Sequence, residues 1–232
     1  MRPAISGKMT ALLDPARAPM TFPHPVTARL LEPIRPIARG ERYEDPLDAA
    51  LKDAGLGEVD GGGSQLAANG EVAFAEVAIY LADLDRALQL TKETLENGGA
   101  PEGSELIFMP EAARAPLPFG RQQSLVLYLD GVSLPQQVYS ELDFDAVVAD
   151  IEKALAQASP ALHDTWSGLE ETALYFFGSD AEEMLRRAEA TLLRTPVCQN
   201  ARVVLRHGQA SPPRREVRLP LTLRIRENEL VH

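Results

Sequence analysis

The chain has 232 residues, 45% of them apolar, which is enough to bury a sizeable core as one large domain or two small ones. Its single cysteine, Cys198, excludes an internal disulfide, and no apolar run approaches the ~20 residues that span a bilayer, so a cytoplasmic protein is expected. Residues 43–200 carry nine basic and 28 acidic side chains, whereas residues 1–42 and 201–232 each carry seven basic and three acidic ones. An anionic body of this kind repels a phosphate backbone and weighs against nucleic-acid binding.

In chain order, residues 1–26 hold five prolines and no periodicity, and read as an N-terminal tail. Leu30–Ile37 is apolar but broken by Pro33 and Pro36, so at most it is an edge strand. Asp45-Pro46 predicts a helix start, Leu47, Ala50, Leu51 and Ala54 give it one apolar face, and Gly55 predicts its left-handed stop. The glycine-rich run Gly61, Gly62, Gly63, Ser64, Gln65 is a candidate phosphate cradle. However, a strand follows it rather than a helix, so it reads instead as a hairpin turn or bulge.

Glu71–Leu81 alternates with apolar residues on both faces, as in a strand covered on two sides. Asp83 caps a helix over Leu84–Asn97, and Leu106–Met109 is a strand. Residues 111–120 read as a linker between the halves. The second half, 121–232, predicts a strand at Leu125–Leu129, a turn at Asp130–Pro135, a helix begun by Asp143, a strand at Thr172–Phe177, a helix capped by Asp180 and a strand at Ala201–Arg206. Glu216–Ile225 alternates apolar and basic residues around Pro220, which predicts an edge strand with a basic face.

The halves repeat at an offset of 97 residues. Leu84, Ala87, Leu88, Thr91 and Leu95 fall on Ala181, Met184, Leu185, Ala188 and Leu192. Val77 and Ile79 fall on Leu174 and Phe176, and Leu106 and Phe108 on Val203 and Leu205. Each half then reads β-α-β-β-α-β. The fold class is α+β: two ferredoxin-like (split βαβ) repeats, the first over 27–110, each a mainly antiparallel sheet with helices on one face, plus the extra C-terminal strand.

The segments GLGEVDGGGSQL, NGEVAFAEVAIYLADLDRAL and GGAPEGSEL resemble a motif of small uncharacterised bacterial proteins, some encoded beside toxin genes as immunity proteins. The resemblance covers about 55 residues of the first half. It implies a protein partner, and no catalytic residue is carried over from it. The second half departs from it, with Trp166, Glu170 and Glu171 where the glycines stood.

No catalytic constellation is legible. His24, His163, His207 and His232 lack metal-ligand spacing, and none of Ser64, Ser124, Ser167 or Ser179 sits in a nucleophile motif. No cofactor or metal is expected. The leading expectation is a non-catalytic binder of a basic protein, steered by charge, with Gly61–Gln65, Trp166, Glu170 and Glu171 as candidate contacts. A small-molecule or enzymatic site in a cleft between the repeats is the second. A homo-oligomer, such as a homodimer, built through Glu216–Ile225 is the third.

Overall fold

The computed structural model describes residues 22–109, 115–156, 162–207 and 214–219. The chain divides into two compact units, one of residues 1–100 and 104–120, the other of residues 101–103 and 121–232. No helix among the described residues is long and apolar enough to cross a membrane.

The first unit opens with β1, His24–Leu30, which pairs antiparallel with both β3 (Val72–Leu81) and β4 (Ser104–Phe108). Sequence predicts an edge strand over Leu30–Ile37. The strand instead starts earlier and occupies the middle of a five-stranded sheet. Pro25 is tolerated because it lies near the strand start, and its carbonyl still accepts from the Met109 N–H at 3.1 Å.

Pro33 and Pro36 lie beyond that strand, and Pro36 begins a continuous helical run. The run comprises α1 (Pro36–Arg39), a π-helical turn (Gly40–Glu44) and α2 (Asp45–Ala54). Asp45-Pro46 is therefore not a helix start. Pro46 has no N–H for the carbonyl four residues back, and the wide turn immediately before it accommodates the mismatch. Gly55 ends α2 at φ 64°, as the sequence predicts.

The glycine run lies inside a strand, β2 (Gly57–Leu66), and not in the turn. The hairpin turn to β3 falls at 67–70, where the Gly70 N–H donates to the Ala67 carbonyl. A bulge interrupts β2 between Val59 and Gly61, so bulge is the correct half of the sequence reading. Helix α3 (Leu84–Asn97) follows, capped by Asp83, whose carboxylate accepts from the Arg86 N–H. Residues 117–119, read as linker, form β5 (Leu117–Phe119) on the β4 edge, which completes the sheet order β2-β3-β1-β4-β5.

The second unit repeats this plan. It contains β6 (Gln123–Asp130), α4 (Gln136–Ser140), α5 (Phe144–Leu155), β7 (Leu162–Ser167), β8 (Glu171–Gly178), α6 (Ala181–Arg194), β9 (Arg202–Arg206) and β10 (Arg214–Arg218). Its sheet order, β10-β9-β6-β8-β7, is the first order read from the other end. The register agrees residue by residue. Val26 stands between Ile79 and Phe108, and Leu125 between Phe176 and Leu205; Ala28 lies between Val77 and Leu106, and Leu127 between Leu174 and Val203. Even the bulge recurs. It lies opposite Ile79 and Ala78 in β2, and opposite Phe176 and Tyr175 in β7. The fold is α+β, two ferredoxin-like repeats, each with an antiparallel sheet.

Each core lies between the sheet and its helices. In the first, Val26, Ala28, Val77 and Ile79 meet Leu47, Leu51, Ala87 and Leu95; in the second, Leu125, Leu127 and Phe176 meet Ile151, Leu155, Met184 and Leu192. The opposite faces are also buried, at Ala78 and Tyr80 in the first sheet and at Val126, Tyr128 and Tyr175 in the second. This matches the two-sided apolar pattern of Glu71–Leu81. The extra strand β10 is an edge strand as far as Arg218. Leu219 follows as a buried bend, and the predicted strand from Pro220 onward lies outside the described residues, as do nearly all of the N-terminal tail and the Ser159-Pro160 helix stop.

Candidate functional site

Within the glycine run, Gly62 is explained by what it faces. A Cβ on Gly62 would lie 2.5 Å from both Arg39 Nε and Glu44 Oε1, and 2.6 Å from the Glu76 carbonyl oxygen. The bare backbone admits Arg39, which is only 6% exposed. Its Nε donates to Glu44 Oε1 at 2.5 Å, and its Nη1 donates to the Gly63 carbonyl at 3.0 Å and to Ser64 Oγ at 3.2 Å. Gly61 takes φ 115° at the bulge. Nearby, Asp48 accepts from the Val59 N–H at 3.0 Å. Side chains of α1 and α2 thus occupy polar groups of an edge strand, a common protection against strand addition. Gln65 is bonded to the neighbouring Leu66 carbonyl at 2.9 Å.

A second polar network fills the space between the π turn and the end of α3. Glu32, 1% exposed, accepts from Arg42 Nη1 and from the Tyr43 hydroxyl, both at 2.5 Å. Arg42 Nε also donates to the Gly98 carbonyl at 2.8 Å. Burial, and then the Glu32 carboxylate, push the Tyr43 hydroxyl far above its ordinary range, so it stays a donor. Gly98 is glycine for space: a Cβ there would sit 3.0 Å from the Arg42 carbonyl oxygen and 3.1 Å from the Tyr43 ring.

Trp166 lies within a strand of its own, β7, opposite Ala173 of β8. It occupies the register position that Gly63 holds in the first unit. Its indole folds over Gly168 and packs against the cluster of Val126, Tyr128, Tyr175 and Phe177. Glu171 accepts from Arg202 Nη2 at 2.8 Å, and the Arg202 guanidinium lies 3.8 Å from the Tyr128 ring centre. Glu170 and Glu171 do not replace the glycines. Glu170 is in the β7–β8 turn, where its carbonyl accepts from the Gly131 N–H at 2.7 Å, and Glu171 opens β8. The glycines belong to the first unit, and Trp166, Glu170 and Glu171 to the second.

The second unit also contains a groove of about 1010 Å³, which sequence reasoning missed. One wall is α4 and α5, and the other is the C-terminal end of α6 with the 3-10 turn Pro196–Cys198. Val138, Leu142 and Val147 line it and are only partly buried. Glu141, Asp143 and Asp150 supply acid, against Lys153 and Arg194. Asp143 is engaged as the α5 cap, accepting from the Ala146 N–H at 3.0 Å, and Glu141 accepts from Gln137. A signal was available. Asp143, Ala146, Val147, Asp150 and Ala154 recur at helical spacing as a face too polar for a core. Cys198, in the adjacent turn, is buried, which pushes its thiol up to about 12 and keeps it protonated and unreactive at neutral pH.

No protein-family model matches the sequence, and no curated protein matches it. Among solved structures, the regulatory subunit of aspartate kinase from Thermus flavus is 16% identical, over 72% of this chain and 91% of that one, with a TM-score of 0.24. The ligand-free form from Thermus thermophilus gives the same identity and coverage at 0.25. A protein described as unknown, from Galdieria sulphuraria, is 13% identical over 78% of this chain and 95% of that one, also at 0.25.

Proposed function

We propose that the chain is a non-catalytic, cytosolic protein-binding module for a basic partner, acting as an inhibitor or immunity protein against a basic toxin. The observation that carries this reading is the acidic wall of an open groove that also exposes Val138, Leu142 and Val147. Residues 136–155, which form α4 and α5, hold five acidic side chains and one basic one. Asp145 and Asp150 are exposed on that wall. The resemblance of the first half to small bacterial proteins, some encoded beside toxin genes, supports the same direction. A clustered negative field raises the encounter rate with a cationic protein, and apolar contacts then set the lifetime of the complex.

The test is affinity capture on the immobilised full-length chain from the source organism, repeated across a salt series. The expected result is one dominant high-pI protein, retained at about 50 mM salt and released by about 500 mM as the Debye length contracts. An acidic partner, or retention indifferent to salt, overturns the reading.

A further inference from the structure

The groove of the second unit corresponds to a space that the first unit fills with its own side chains. Helices α3 and α6 end 97 residues apart, at Asn97 and Arg194, which makes their C-cap residues, Gly98 and Thr195, equivalent. In the first unit, Tyr43 packs against Gly98 and Arg42 donates to the Gly98 carbonyl. In the second, Thr195 carries the Cβ that this packing forbids, and its hydroxyl is turned to the Thr191 carbonyl at 2.8 Å. Thr195 lines the open groove. The short helix α4 ends at Ser140, before the α5 cap at Asp143, and puts no buried side chain into the space.

We propose that this groove binds a partner segment presenting an arginine beside an aromatic residue, the chemistry that Arg42 and Tyr43 supply within the first unit. The proposal rests on the reading of the chain as a binder of a basic protein and specifies its contact. The C-terminal end of α6 carries the negative end of the helix dipole, which favours a cation. Asp150 adds a carboxylate with no hydrogen bond or ion pair among the described residues. Val138, Leu142 and Val147 give an aromatic ring apolar surface that is not yet fully buried. The volume of about 1010 Å³ accommodates two such side chains with their backbone.

The test uses the full-length chain and a fluorescein-labelled 14-residue peptide carrying Arg–Tyr pairs and a photo-crosslinker. The control peptide has each Arg changed to Gln and each Tyr to Ser. The expected result is salt-sensitive binding of the first peptide only, with crosslinks confined to residues 135–154 and 191–199. Ala146→Trp, which fills the groove, and Asp150→Lys, which inverts its charge, each weaken binding about tenfold or more. Asp150→Asn serves as a milder variant, checked by an unchanged unfolding midpoint. Salt-sensitive binding with crosslinks elsewhere, or undiminished in the groove variants, overturns the groove assignment and leaves the basic-partner reading standing. Absence of binding by the peptide, with a basic protein still captured from the source organism, overturns the Arg–aromatic chemistry alone. Failure of both experiments overturns both readings.

Discussion

Glycine is used at Gly62 and Gly98 for close approach, although the two positions look alike to any scale of flexibility. At Gly62 the missing Cβ makes room for the Arg39–Glu44 pair; at Gly98 it makes room for the Tyr43 ring. Substituting Gly62 by Ala should therefore destabilise the protein by about 1–3 kcal/mol, because an ion pair and a strand carbonyl must both shift. Gly40 is the contrasting case. It is helical, at φ −54°, with nothing within 4 Å of its absent Cβ. Gly40→Ala should leave stability unchanged or raise it by about 0.5–1 kcal/mol. Urea denaturation of the two variants checks the opposite signs, and equal effects would refute the packing account. The buried Glu32 network requires a similar fit, since loss of one partner would leave buried charge without compensation.

At the scale of elements, three helices start on the same device. Asp83, Asp143 and Asp180 each adopt extended backbone and accept from the N–H three residues on, that of Arg86, Ala146 or Glu183. Replacing any one by Ala should cost about 1 kcal/mol, read as a lower denaturation midpoint with an unchanged m-value. These caps were legible in the sequence because the signal is local: one side chain, one N–H, three residues apart. The true first helix start was not legible. Asp45-Pro46 has the composition of an N-terminus, yet the helix already runs through it from Pro36. α1 and the π turn that permit this are held by distant partners, Gly63 for Arg39 of α1 and Gly98 for Arg42 of the turn, which no local window contains.

At the scale of the whole molecule, acid should destabilise both units in one pH window. At Asp48, in the first unit, burial raises the carboxyl pKa but is outweighed by the hydrogen bonds from Lys52 and the Val59 N–H and by the Lys52 charge, leaving it below its ordinary value. At Asp130, in the second, hydrogen bonds from the Ser133 side chain and from the Ser133 and Val132 N–H groups also lower it. A carboxyl whose folded value lies below its unfolded value of about 4 binds its proton more readily in the unfolded chain. Its contribution is therefore fully present above about pH 4 and lost as pH falls through the folded value. Chemical denaturation between about pH 5 and 2.5 should show this loss. Asp48→Asn and Asp130→Asn should each flatten the profile, and an unaltered slope in both variants would refute it.

The duplication, the α+β class and the buried faces of α3 and α6 were determined by the sequence alone, because apolar periodicity reports which side of an element is buried. The offset of 97 residues already paired Val77 with Leu174, Ile79 with Phe176, Leu106 with Val203 and Phe108 with Leu205, and the sheet registers agree with it. Only the tertiary structure decided that β1 is central, that the glycine run lies inside a strand with Gly62 against Arg39, and that one repeat fills its groove while the other leaves it open. Those outcomes depend on side chains far apart in the chain meeting in space, such as Tyr43 with Gly98, and periodicity within one element carries no information about them.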